Sequence, residues 1–180
     1  SNAFVAMADL VKGNVDFNAT FNLLGDNANS EWHLASLGAD NDKKVFNINF
    51  NHVAKNTTGV MSNYGVVEDE SMMHFKGISH IKNGSIKSKT HQSAKIMVFD
   101  PKCHAKANPI LKIDENDIEA SHAAIVGKVN DEHMFYLCSR GISENDAKQL
   151  ITLGYLKPIT NYFEDEKYVQ EIVDGIEKRL

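Results

Sequence analysis

Val15, Phe17, Ala19 and Phe21 alternate with Asp16, Asn18 and Thr20, the period of two expected of a strand that buries one face. Further strand-like windows fall at 32–37, 44–50, 59–67, 72–81, 93–99 and 109–113. Polar punctuators separate them: Gly25-Asp26-Asn27, Gly38-Ala39-Asp40, Glu68-Asp69-Glu70, Lys82-Asn83-Gly84-Ser85 and Asp100-Pro101. Gly tolerates positive φ and Pro fixes one dihedral, so these stretches read as turns for a steric reason. No helical segment interrupts the run, which argues against an alternating β/α sheet. A sandwich, an antiparallel barrel and a coiled parallel β-helix remain open. The 18 asparagines, many beside short apolar stretches such as 46–50, suit the corners of a β-helix, where Asn bonds local backbone and accepts left-handed geometry. No exact repeat is readable.

The pattern changes after about residue 131. Residues 131–139 read as a short helix with Met134, Leu137 and Cys138 on one face, ended by Ser139-Arg140-Gly141. Ser143 is placed to cap a second helix running to Leu153 or Gly154, with Asp146 at the third helical position of a capping box. Its apolar stripe is Ala147, Leu150 and Ile151. Pro158 breaks the chain before a last helix from about Asp165, where Val169, Ile172, Val173, Ile176 and Leu180 recur at helical spacing. That face packs either on the chain's own β domain or on a partner.

The length of 180 residues, 20.0 kDa, suits one domain with a small appendage. Lys and Arg number 19 against 24 Asp and Glu, a formal charge of -5, which does not favour a phosphate-backbone binder. No apolar run reaches the roughly 18 to 20 residues that cross a bilayer, and no secretory leader is visible. With only Cys103 and Cys138, a disulfide framework is not expected, and the chain reads as a soluble cytoplasmic protein. Ser1-Asn2-Ala3 looks like an expression remnant, and the whole reads as a fragment of a longer subunit.

Familiar catalytic patterns are missing: no phosphate loop, nucleophile elbow, His-Glu-x-x-His helix or dinucleotide fingerprint. Cys103 and His104 would point to opposite faces of an extended segment and so not chelate one metal together. Cys138 reads as packing. His122 lies in the small-residue stretch Ala120-Ser121-His122-Ala123-Ala124-Ile125-Val126-Gly127, where another backbone can approach closely and imidazole could ligate iron or bind protons. A structural hydrogen bond is its simpler reading, as it is for His91. Glu115, Asp117 and Glu119 read as a solvated loop face rather than as paired acid/base groups.

Taken in order, several pieces carry a likeness: Phe75-Lys76-Gly77-Ile78, Thr90-His91-Gln92, Asn108-Pro109-Ile110-Leu111-Lys112-Ile113, Asp117-Ile118-Glu119-Ala120-Ser121-His122-Ala123-Ala124-Ile125-Val126-Gly127, Phe135-Tyr136-Leu137-Cys138-Ser139-Arg140-Gly141-Ile142 and Gly154-Tyr155-Leu156. Their sequence resembles the C-terminal core of the SufB/SufD family, scaffold subunits of the Suf iron-sulfur cluster assembly system, and is nearer the SufD type. The resemblance implies a right-handed parallel β-helix core at 4–129, truncated at its N-terminus, followed by a small helical subdomain at 130–180. It further implies pairing with a second SufB/SufD-like subunit or a homodimer, and contact of the helices with the Suf ATPase.

A functional histidine of the D-type family members maps onto His122. The motif here reads Ser121-His122-Ala123 in place of Ser-His-Gly, and Ala120 stands where the family often has Cys. His122 is thus expected at a subunit interface or as one nitrogen ligand of an incomplete metal site, since a cluster needs several ligands. No stably bound cofactor is expected, only a transient iron-sulfur cluster at a site that a partner completes. Neither Cys103 nor Cys138 matches the context of the B-type cluster cysteine. Arg140, Gly141 and Gly154 are expected at the partner interface, against a plain reading as helix stops. No enzymatic activity, nucleic acid or membrane is expected. The rival readings are a polysaccharide-active β-helix enzyme and a purely structural interaction β-helix.

Overall fold

Each coil of the chain is made of two strands, one in each of two facing parallel sheets. The computed structural model describes residues 1–180. Strands β1 (Asn2–Asp9), β3 (Asn29–Gly38), β5 (Thr58–Val67), β7 (Ser88–Val98) and β9 (Ile118–Lys128) stack in that order in one sheet. Strands β2 (Val15–Leu23), β4 (Lys43–His52), β6 (Met72–Ile81) and β8 (His104–Ile113) form the other. Every ladder is parallel, which removes the sandwich and the antiparallel barrel and leaves the β-solenoid. Successive coils superpose at a nearly constant step: Val15 lies opposite Lys44, Lys43 opposite Met72 and Asn29 opposite Thr58. The step is shorter at Asn2 opposite Asn29 and longer at Met72 opposite His104.

The alternating pattern does what it predicts. On β4 and β6 every second residue is buried, and Phe46, Ile48, Phe50, Phe75, Trp32, Leu34 and Met61 fill the space between the sheets. The aromatic rings meet across rungs, with Phe17 stacked on Trp32 at 5.4 Å and Phe21 edge-on to Phe50 at 5.0 Å. On the outer face of β2 and β4 the asparagines form ladders. Asn47 donates to Asn18 at 2.9 Å and Asn51 to Asn22 at 2.8 Å.

Corners take the left-handed residues expected of Asn and Asp: Asn27 and Asn56 have φ of 60° and 53°, Asp40 and Asp69 of 55° and 60°. One coil satisfies the previous one there, the Asp40 N–H donating to Asp69 and the Asp69 N–H to Asp100, each at 2.9 Å.

Two strands fall outside the expected windows. In β1, Val5 and Met7 pack inward while Ala6 and Ala8 pack outward beneath the helices. With both faces covered, no polar alternation survives in the sequence. β9 is rich in small residues and follows the last expected strand window, beginning where a solvated loop face is expected at Glu115, Asp117 and Glu119. Glu119 accordingly sits on a strand, its carboxylate 2.7 Å from Lys89 Nζ.

The helical part folds back on the outer face of the first sheet. Helix α1 (Asp131–Ser139) is capped by Asn130, and α2 (Glu144–Leu156) by Ser143, whose Oγ accepts from the Asp146 N–H at 3.1 Å. A 3-10 helix (Lys157–Tyr162) contains Pro158 near its start, and α3 (Glu166–Arg179) is capped by Asp165. Ile172 and Ile176 of α3, with Leu156 and Ile159, bury against Ala35, Leu37 and Val66. The apolar stripe of the last helix is therefore spent on the chain's own solenoid. Cys138 is exposed instead of packed, because α1 buries no residue.

Candidate functional site: the open terminal rung

β8 and β9 form the last rung. β9 pairs with β7 alone and β8 with β6 alone, so each presents an edge of free backbone donors and acceptors. The register sets His122 opposite Gln92, which lies opposite Met61 and, one rung earlier, Trp32. Neighbours in a parallel ladder share a face, so His122 stands in an inward column at the mouth of the solenoid. It is exposed there, as are Ala123 and Ala124.

Beneath it the filling changes from aromatic to polar. Gln92, 1% exposed, donates from Nε2 to Ser79 Oγ at 2.7 Å and to the Ile110 carbonyl at 3.1 Å. Thr90 donates to the same Ser79 oxygen at 2.8 Å, while Gln92 Oε1 has no partner. Ser121 and His91 face outward, with His91 Nδ1 2.8 Å from Ser121 Oγ. His91 thus belongs to a local hydrogen bond on the outer surface.

The two cysteines lie apart from His122 in role. Cys103, just before β8, is half-buried with Sγ 3.5 Å from the Asp69 carbonyl, and burial raises its thiol above the ordinary range. No group of three or more His, Cys, Asp or Glu side chains is placed to hold a metal ion. The chain's own residues around His122 do not make a complete cluster site, so any cluster bound there would need ligands from a second chain.

The expected partner residues cluster on the helical part. Phe135 and Tyr136 of α1 are 76% and 56% exposed. Arg140 stacks its guanidinium 5.1 Å from the Tyr136 ring centre, and Gly141 ends the turn with φ of 87°, which a residue bearing a Cβ adopts only with strain. Gly154 is exposed on α2 with open space where a side chain would stand.

Several buried titratable groups escaped the reading of the sequence. Lys44 is fully buried, with Nζ 2.5 Å from the Val11 carbonyl and 3.4 Å from Asp9, which also accepts from Ser36 Oγ at 2.7 Å. Its position was legible, since a lysine stands in the inward column of Phe46, Ile48 and Phe50. Arg179 of α3 pairs with the buried Asp42, tying the last helix to the β3–β4 corner. Burial brings His52 down to about 4, and burial with Asp69 nearby brings Glu68 up to about 7.

The fold and this end of it define a class: a parallel β-solenoid with a docked helical appendage, its chemically distinctive residues displayed at an open rung and on exposed helix surface. The sequence profile of the SUF system FeS cluster assembly SufBD core domain matches residues 4–155. The chain is 33% identical over 161 residues to the iron-sulfur cluster assembly protein SufD of Bacillus subtilis (strain 168), covering 89% of this chain and 37% of that protein. It is 30% identical to SufD of Escherichia coli (strain K12), covering 64% of this chain and 27% of that protein. Against SufB of Bacillus subtilis (strain 168) the identity is 29%, over 61% of this chain and 23% of that protein. The chain belongs to the SufB/SufD family of Suf iron-sulfur cluster assembly proteins, and its sequence is nearer the SufD type. It spans less than two fifths of the length of these curated relatives. No helix is long and apolar enough to cross a membrane.

Proposed function

We propose that the chain acts as a non-catalytic scaffold part in iron-sulfur cluster assembly, pairing through its terminal rung with a second SufB/SufD-like solenoid. The observation that carries this reading is the last rung itself: two free strand edges, small side chains that permit close approach, and an exposed His122 in the inward column. A second rung laid against these edges satisfies the free backbone groups and covers Ala124 and Val126. It also brings a partner's ligands to His122, whose neutral imidazole offers one nitrogen to a nascent cluster handled as cargo.

The division of labour follows residues 4–129 for pairing and 130–180 for docking the Suf ATPase. With the α3 stripe buried, the docking surface falls on α1 and the exposed side of α2: Phe135, Tyr136, Arg140, Gly141, Leu150 and Gly154. Aromatic and Arg side chains on such a surface are the usual anchors of a protein interface.

The test reconstitutes cluster assembly with the full-length subunit. His122→Ala should lower assembly while circular dichroism and subunit pairing stay unchanged. Tyr136→Ala with Phe135→Ala should weaken ATPase capture while leaving pairing intact. Unchanged assembly in the His122 variant, or undiminished ATPase capture in the helix variant, counts against the corresponding half.

A further inference from the structure

The outward face of β6 and β8 carries lysine and histidine but no acidic residue, unlike the paired outer faces elsewhere in the solenoid. In-register parallel strands set each side chain beside its partner, and like charges so placed repel. Elsewhere the partners are complementary: Lys89 with Glu119, His91 with Ser121, Asn47 with Asn18. On β6 and β8 the outward partners are His74 with Lys106, Lys76 with Asn108 and His80 with Lys112, and His104 heads β8 on the same face. Among the four strands of this sheet the one acidic residue is Asp16, on β2. Asp114, beyond the end of β8, pairs with His80 at 2.7 Å and offsets one of these charges. On a chain of net charge -5, Lys76, Lys106 and Lys112 make a local basic group with no acidic residue on their own strands. Burial, with the neighbouring Lys106 and Lys76, lowers the His74 pKa, so the positive charge of the face rests on the lysines.

Three lysines gathered on one sheet face with no acidic residue on either strand serve no pairing within the solenoid and offer a partner a positive surface. Its centre is apolar, with Ile78 opposite Ile110. At about 3.3 Å per residue, the rows of Lys76 and of Lys112 on either side lie roughly 13 Å apart, with Lys106 one row further out. An α-helix with side chains is about 10–12 Å across, so it fits between them. No Phe, Tyr or Trp on β6 or β8 points outward for a base to stack on, which disfavours single-stranded nucleic acid.

We propose that the outward face of β6 and β8 binds an acidic amphipathic helix of a partner protein, its apolar residues on Ile78 and Ile110 and its carboxylates on Lys76, Lys106 and Lys112. The helix lies along the solenoid axis, over the row that continues through Asn49 to Thr20. An apolar centre with a charged rim is the common anatomy of a protein–protein contact. The charges set specificity and association rate more than affinity. This surface uses the outward side of β8 and not its free edge, lies apart from the helices, and does not depend on the roles assigned to either.

The probe is a fluorescently labelled peptide of leucine and glutamate designed as an amphipathic helix, titrated into the full chain by anisotropy. Its all-glutamine analogue, a short oligothymidine and the unliganded protein at rising concentration are the controls. The acidic peptide should bind at least about tenfold more tightly than the glutamine analogue, and lose about tenfold in the variant Lys76→Glu, Lys106→Glu, Lys112→Glu. Lys106→Gln alone, a milder surface change, should give a smaller loss with an unchanged melting curve. Ile110→Ser should weaken the peptide without altering the salt dependence. Equal binding of the two peptides, no binding, or undiminished binding by the variants overturns the proposal. Tighter binding of oligothymidine assigns the face to nucleic acid, and self-association abolished by the triple variant assigns it to a second copy; either result also overturns it.

Discussion

Glu68 makes the stability of this protein depend on pH in a direction opposite to that of an ordinary salt-bridged carboxylate. It sits 8% exposed in the corner between β5 and β6, against the helical appendage. Burial is the main cause of its raised pKa, with Asp69 and Asp100 adding to it and Lys148 and Arg179 opposing. The folded-state value is about 7 against an ordinary 4.5. The folded state therefore holds a proton that the unfolded chain has already released. Stability from this group is full below pH 4.5 and is lost as pH rises through about 7. At 1.36 kcal/mol per pKa unit, the loss comes to about 3 kcal/mol on the alkaline side. Glu68→Gln keeps the shape and cannot ionise. Urea unfolding followed by circular dichroism, across a pH series, should show the variant equal to the parent in acid and more stable by about 3 kcal/mol around pH 8. The comparison cancels every other titrating group. A difference that stays constant across the series, or a variant less stable than the parent in alkali, refutes the assignment.

The opposite sign is expected at His52, where burial lowers the folded value to about 4 from 6.5. Its contribution is complete above the unfolded value and is lost as pH falls through the folded one, about 3 kcal/mol in all, so His52→Leu should flatten the acid limb of the same urea series. Lys44→Met leaves the buried Asp9 carboxylate without its cation, and denaturant titration should show a loss of about 3–5 kcal/mol. Replacing Asp9 by Asn in the same chain should recover part of it. At Gly59 a Cβ would come within 2.6 Å of Phe50 and 2.9 Å of His52 Nε2, so Gly59→Ala should cost about 1–3 kcal/mol of overpacking in a thermal melt.

Strands with one buried face were readable because their polar residues alternate. β2, β4 and β6 carry Asn, Lys and His on the outside and Phe, Ile and Met within. β1 was not readable, because helices from the far end of the chain cover its outer face and leave it apolar on both sides. β9 was missed because Ala120, Ala123, Ala124 and Gly127 lack the branched and aromatic side chains that mark a strand. The repeat had a legible signal that residue types alone concealed. Asn18 and Asn47, Asn22 and Asn51, and Asp40 and Asp69 recur 29 residues apart. The stretch around His122 was visible as a run of small residues, but its place at a free edge depends on long-range pairing with β7 that no local pattern encodes. The fate of the α3 stripe likewise depends on Ala35, Leu37 and Val66, which lie far back in the chain.

The uneven step from coil to coil, set against unbroken pairing along every strand, has a consequence for how this rod can change. Extra residues are absorbed at a bend and never displace the rungs above or below it. Lengthening a bend such as the one at Asn83 and Gly84 should thus be tolerated as a protruding flap, whereas one residue added inside β4 would turn Phe46, Ile48 and Phe50 outward. A rod of this kind is free to acquire new ornaments at its bends while its girders are held fixed.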